Sequence, residues 1–174
     1  MKELLIVVDY QNDFVDGSLG FPAAAGLHDR ICKKITEYKS KRQQVVFTLD
    51  THEEDYTSTQ EGRNLPVKHC IRGTRGHKLF GKVQSLSEGC QSFEKCTFGS
   101  GLLFSYLQQS TFESIEFVGL VSNICVISNA VLAKTALPEA QIIIDADCTA
   151  SNDSILNEKA FDIMEGLQMK ISGR

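Results

Sequence analysis

One cysteine of this chain stands where covalent chemistry is favoured. Cys125 follows Ser114-Ile-Glu-Phe-Val-Gly-Leu-Val-Ser-Asn-Ile, an apolar run that breaks at Gly119, passes through small and polar residues and enters a helix-like segment. The start of a helix presents unpaired backbone N–H groups and the positive end of the peptide dipole. Both favour the thiolate, which is the nucleophilic form. Three further groups stand at the ends of predicted strands: Asp9, the pair Asp50 and His52, and Lys95. In an open parallel sheet, ligands bind beyond the carboxyl ends of the strands, so these side chains and Cys125 fall on one rim. An Asp at a strand end is most often a turn or cap residue, and a lone Lys or Cys is usually inert. Their joint placement is what points to a site.

The elements that must position them alternate between apolar runs and segments of helical period, the pattern of a parallel sheet covered on both faces. Leu4 to Val8 reads as a buried strand, and Leu27 to Lys41 as a helix with Ile31, Ile35 and Tyr38 on one stripe. Gln44 to Leu49 is the second strand and Ser92 to Lys95 the third, with a helix from Ser100 to Gln108 behind it. Ser114 to Leu120, Ile124 to Ala136 and Gln141 to Asp145 continue as strand, helix and strand. Asn152-Asp153 caps a last helix through Met164, and Gln168 to Ile171 makes a sixth strand. Asp50 to Lys82 is polar and weak in apolar periodicity, a long excursion of the kind that carries function.

Composition narrows the class. At 174 residues the chain is expected to form one domain. A formal net charge of −4 with scattered basic residues gives no general attraction to nucleic acid or to an anionic membrane. No run approaches the roughly 20 apolar residues of a membrane span, and the opening apolar stretch is too short for a signal peptide. The protein is therefore expected in the cytoplasm, with its six cysteines reduced. None forms a C-x-x-C pair, which argues against a zinc knuckle or thioredoxin-like site.

Five segments, in order along the chain, carry a family resemblance. Asp9-Tyr-Gln-Asn-Asp-Phe14 resembles the D-x-Q-N-D-F opening of the isochorismatase-like cysteine hydrolases, the nicotinamidases in particular. Thr48-Leu-Asp-Thr-His52 resembles their T-x-D-x-H metal segment, and His69-Cys-Ile-Arg-Gly-Thr-Arg-Gly76 their H-C-x-x-G-T-x-G. Lys95 with Thr97-Phe-Gly99 is similar to their lysine segment, and Val118 to Val126 to their nucleophile turn. The resemblance implies a three-layer α/β/α fold with a six-stranded parallel sheet. It also implies a catalytic triad of Asp9, Lys95 and Cys125, and an oxyanion hole from the N–H groups of Ser122 and Cys125. A non-proline cis peptide is expected in this turn between Val121 and Ser122.

Asp50 and His52, two residues apart in an extended segment, project to one side and can meet one cation. His69 would be the third ligand, and Glu61 a possible fourth. This donor set suits one divalent ion, zinc first, with iron(II) or manganese as alternatives. Phe14, Phe98 and Val121 are the candidate walls for a planar substrate. The expected activity is conversion of a small amide such as nicotinamide to the acid and ammonia through a cysteine thioester, in a homo-oligomer. The sequence departs from nicotinamidases at Leu65-Pro-Val-Lys-His-Cys70, where Trp-Pro-x-His-Cys is usual; the chain has no Trp. That departure opens the reading to another carbamoyl or non-aromatic amide substrate. An isochorismatase would need neither the cysteine nor the metal residues, and a non-catalytic metal-binding homologue would not need the triad.

Overall fold

The structure, a computed structural model, describes residues 2–174. Strand β1 (Glu3–Val8) is a nearly continuous apolar run, as a central strand covered on both faces requires. Two short helices follow, α1 (Asn12–Val15) and α2 (Pro22–Ala25), then α3 (His28–Ser40), which buries Ile31, Ile35 and Tyr38 as its period predicts. After β2 (Gln44–Asp50) the polar excursion contains α4 (Gln60–Asn64) and α5 (Lys82–Leu86), neither legible as an amphipathic stripe. Then come β3 (Gln91–Lys95), α6 (Gly101–Gln108), β4 (Ser114–Leu120), a π-helical turn at Ser122–Val126, and α7 (Ile127–Ala136). The chain ends with β5 (Gln141–Ala150), α8 (Ser154–Gly166) and β6 (Lys170–Ser172). Asp153 caps the last helix as the sequence suggested, accepting from the N–H groups of Ile155 and Leu156, and Ser100, read as the first helical residue, proves to be a cap that accepts from the N–H of Leu103.

All six strands pair in parallel, in the order β3-β2-β1-β4-β5-β6. The sheet is sandwiched as expected. Successive residues of β1 alternate between two cores: Leu4, Ile6 and Val8 join Leu103, Val126 and Phe161 on one face, while Leu5 and Val7 join Ile31, Ile35 and Val83 on the other. The chain reverses its direction of winding between β1 and β4, the point at which such sheets open a crevice.

Two strand-level expectations change. β5 runs five residues past the predicted end at Asp145, because that carboxylate is not a strand stop. It lies buried against Lys34, whose ammonium is 2.8 Å from Asp145 and 2.9 Å from Glu116. Gly119 explains the break in β4. Its φ is +109°, and a Cβ there would overlap the Val8 carbonyl oxygen. Only glycine admits β4 this close to β1. The cis peptide of this segment joins Leu120 to Val121, one bond earlier than expected. Val121 is extended and the helical turn begins only at Ser122, so the irregular bond belongs to the strand exit and not to the turn.

Candidate active site

Register brings the strand ends together. β1 pairs Val8 with Thr48 of β2 and with Gly119 of β4, and β2 pairs Asp50 with Lys95 of β3. Asp9, Asp50, Lys95 and the turn leading to Cys125 therefore leave the sheet at one level. Asp9 adopts a positive φ of 45°, a region that Asp tolerates better than most side chains.

The Lys95 ammonium lies 2.6 Å from the Asp9 carboxylate, 3.4 Å from Asp50 and 3.6 Å from the Cys125 sulfur. All four residues are buried. The second Asp9 oxygen accepts a 2.6 Å hydrogen bond from the Thr48 hydroxyl. Burial lifts the Asp9 carboxyl above its ordinary value, with Lys95 opposing the rise. Burial works to discharge Lys95, but the charges of Asp9, Cys125 and Asp50 outweigh it and keep the ammonium protonated. Burial also pushes the Cys125 thiol well above its usual range, and Asp9 adds to the rise against Lys95. Burial and the Asp9 charge thus oppose the helix-terminus argument for a resting thiolate.

Beside this trio Asp50, His52 and His69 converge, their ligand atoms all within 4.8 Å of one another and all three residues buried. His52 Nε2 is 3.0 Å and His69 Nε2 is 3.3 Å from the same Asp50 oxygen. His69 Nδ1 faces the Val67 carbonyl at 2.8 Å, which assigns its proton to Nδ1 and frees Nε2 to ligate. Burial acts to raise the Asp50 carboxyl, but its contacts with the two histidines and the charge of Lys95 hold it below the usual range. Glu61 stands at the edge, 3.9 and 3.8 Å from the two imidazoles. A hard-to-borderline set of one carboxylate and two imidazoles fits a divalent transition ion.

The sequence assigns no role to several supporting residues, although Gln11, Asp13 and Thr48 stand at matched positions of the segments that carry the resemblance. Gln11, fully buried, donates to the Asp50 carbonyl and accepts from its N–H, both at 2.8 Å, so it clamps the end of β2. Asp13 accepts from the Cys70 N–H at 2.8 Å and ties down the His69 loop. Tyr56 packs its ring 4.6 and 4.9 Å from those of His52 and His69. Asn129 donates to the carbonyls of Cys125 and Phe98 and accepts from the Ser100 N–H, joining the Cys125 turn to the loop after Lys95. Thr48 lies two residues before Asp50, and strand alternation places it on the same side; only the β1–β2 register reveals its partner.

A cavity of about 870 Å³ opens at this rim, lined among others by His52, Tyr56, Glu61, Lys95, Phe98 and Leu102. Of the three candidate wall residues, Phe98 lines the cavity and is 48% exposed. Phe14 and Val121 are half-buried against the core, and Phe14 sits 5.5 Å from the His69 ring. In the turn, the N–H groups of Val121, Ser122 and Cys125 reach no backbone acceptor outside the turn among the described residues, while the Ser122 hydroxyl donates to Asn157.

Comparison with known proteins gives one family. The isochorismatase domain model matches residues 3–172. An uncharacterized isochorismatase family protein, PncA, from Bacillus subtilis (strain 168) is 31% identical over 144 residues, 75% of this chain and 78% of its own length. The crystal structure of the nicotinamidase/pyrazinamidase PncA from Bacillus subtilis superposes with a TM-score of 0.85 at 27% identity, covering 98% of this chain and 99% of that one. The pyrazinamidase/nicotinamidase of Streptococcus mutans UA159 gives 0.86 at 25% identity, with the same coverage. No helix among the described residues is long and apolar enough to cross a membrane.

Proposed function

The chain belongs to the isochorismatase family, and on that premise we propose that it is a metal-dependent amidase that hydrolyses a small amide, nicotinamide or a close analogue, to the acid and ammonia. The observation that carries this reading is the position of Lys95, bonded to Asp9 at 2.6 Å and facing the Cys125 sulfur at 3.6 Å, beside a ready ligand set. The nicotinamidase and pyrazinamidase activities named for the Bacillus subtilis and Streptococcus mutans structures support the substrate class.

Asp9 takes the thiol proton as the Cys125 sulfur attacks the amide carbon. Lys95 offsets the negative charge that passes between sulfur and carboxylate. The oxyanion of the tetrahedral intermediate is met by N–H groups of the turn, from Cys125 together with Ser122 or its neighbour Val121. Asp9 then returns its proton to the departing nitrogen, ammonia leaves, and Cys125 holds the acyl group as a thioester. In the second half Asp9 takes a proton from water, whose oxygen attacks the thioester; the acid leaves and the thiol is restored. A divalent cation held by Asp50, His52 and His69, with Glu61 adjacent, would supply Lewis acidity and an anchor for a ring nitrogen when bound. Zinc is the first choice for this donor set.

Leu65, where nicotinamidases usually carry Trp, is 39% exposed and does not line the cavity, so the aromatic side chains of its wall are Phe98 and the buried Tyr56. This favours, as a second reading, a carbamoyl or non-aromatic amide substrate. An ammonia-release screen over nicotinamide, pyrazinamide and aliphatic and carbamoyl amides, with metal analysis of the same sample, separates the two. Release from the aromatic amides supports the first reading; release from the others alone supports the second, and no release from any amide contradicts both.

A further inference from the structure

Charge at the cavity mouth narrows the substrate further. Arg72 lines the cavity between two glutamates, its Nε 2.8 Å from Glu53 and one terminal nitrogen 2.6 Å from Glu94, both of which line the same wall. The trio carries one net negative charge. Lys95, the other cation in the wall, is already paired with Asp9 and faces Asp50. A divalent ion on the histidine cluster would be matched by Asp50 and by Glu61 at its edge. Asp55 adds a further carboxylate to the lining. Among the described residues, no cation in the cavity wall lacks a carboxylate partner. A substrate bearing its own carboxylate would therefore find no free counter-charge and would meet the Glu53 and Glu94 carboxylates on entry.

We propose that the active-site cavity admits neutral or cationic amides and rejects amides that carry a carboxylate, with the Glu53–Arg72–Glu94 rim as the determinant. The inference rests on the amidase reading and narrows it, setting aside carbamoyl amino acids within the second substrate class. It has a corollary for turnover. The product is itself a carboxylate, so the rim that passes the neutral amide inward disfavours rebinding of the acid. Each side chain of the rim is about half exposed, with Glu53 at 64%, Arg72 at 50% and Glu94 at 45%, so the selection is one of entry and is weakened by salt.

The test compares nicotinamide with a pyridine carboxamide bearing a ring carboxylate, and with one bearing an aminomethyl group. Ammonia release is read as kcat/KM for the metal-loaded enzyme. At low ionic strength the neutral and cationic amides are expected to exceed the anionic one by about tenfold or more. Glu53→Gln with Glu94→Gln should shrink that ratio several-fold, and Arg72→Gln should enlarge it. Raising the salt to about 0.5 M should shrink it as well, because exposed charges are then screened within a few ångströms. Binding of the same three ligands to the Cys125→Ala protein, followed by calorimetry, gives the order without turnover. If no amide is hydrolysed but the binding order holds, the amidase reading fails and the charge selection stands. If the anionic amide is hydrolysed or bound as well as the neutral one, or if the ratio ignores salt and all three substitutions, the rim is not the determinant.

Discussion

The Thr48 hydroxyl donates a 2.6 Å hydrogen bond to one oxygen of Asp9, and this leaves the other oxygen to Lys95 at the same distance. Asp9 is wholly buried, so these two partners fix its carboxylate plane without help from solvent. A general base must be aimed before its basicity matters. Thr48→Val should therefore lower kcat/KM by about tenfold or more, in line with the ~1.5–3 kcal/mol carried by a hydrogen bond to a charged group. Thr48→Ser should restore most of it. Steady-state kinetics with circular dichroism of each variant check this; equal loss in the Ser and Val variants would point to packing instead.

Asp9→Asn keeps the shape and removes the proposed base. We expect a fall of roughly 10²–10⁴-fold in kcat. The acid limb of the wild-type pH profile should lie above the ordinary carboxylate range near pH ~4, because burial raises Asp9 more than Lys95 lowers it. Activity is then lost as the pH falls through that raised value, and the limb should vanish in the variant. A limb below pH ~4 in the wild type would contradict the reading.

The metal cluster makes a prediction that needs no turnover. Purified protein should carry about one divalent ion per chain, and His69→Ala should lose it. Chelation should lower the thermal midpoint, since an ion held about 100-fold above its dissociation constant stabilises by ~2.7 kcal/mol. A midpoint indifferent to chelator, with no ion found by elemental analysis, would remove the metal from the mechanism.

Away from the site, Lys34 pairs with both Glu116 and Asp145, whose side chains are 10% and 8% exposed. Burial acts to discharge Lys34, but its bonds to Asp145 and Glu116 prevail and raise its pKa. A raised lysine contributes its stability in full below its unfolded value near pH ~10.4 and loses it only as the pH climbs through the folded value. Lys34→Met should cost about 3 kcal/mol, since it leaves two buried carboxylates without a counter-charge, although Glu116 keeps its hydrogen bond from the Tyr38 hydroxyl and Asp145 that from the Asp147 N–H. The deficit should hold from pH 7 to about pH 10. Lys33→Met, at a side chain 79% exposed, should change stability by less than ~0.5 kcal/mol. Urea unfolding of both variants at several pH values decides it.

Much of this was legible in the residues, and the exceptions share a cause. Apolar runs and helical stripes located the six strands and the long helices, and the strand-end rule collected Asp9, Asp50, His52, Lys95 and Cys125 before any geometry was known. Side-chain partners across the sheet were not legible. Asp145 looked like a strand end because its partner Lys34 lies more than a hundred residues away, and Thr48 looked like an ordinary strand residue until the register set it beside Asp9. The helices α1, α4 and α5 span four or five residues and show no period. Depth was also hidden: a cysteine in a helix turn reads as reactive, whereas burial and the nearby Asp9 charge raise the pKa of this one. The cis bond fell one residue from its expected position because the strand exit and the start of the turn cannot be separated by sequence pattern.

The decisive measurement is acid-quenched mass spectrometry of the enzyme during turnover of its best amide substrate. One acyl group should be found, on the peptide containing Cys125, and the Cys125→Ala protein should show neither the adduct nor ammonia release. Ammonia release that persists in the Cys125→Ala variant, or an adduct on another cysteine, would contradict the mechanism.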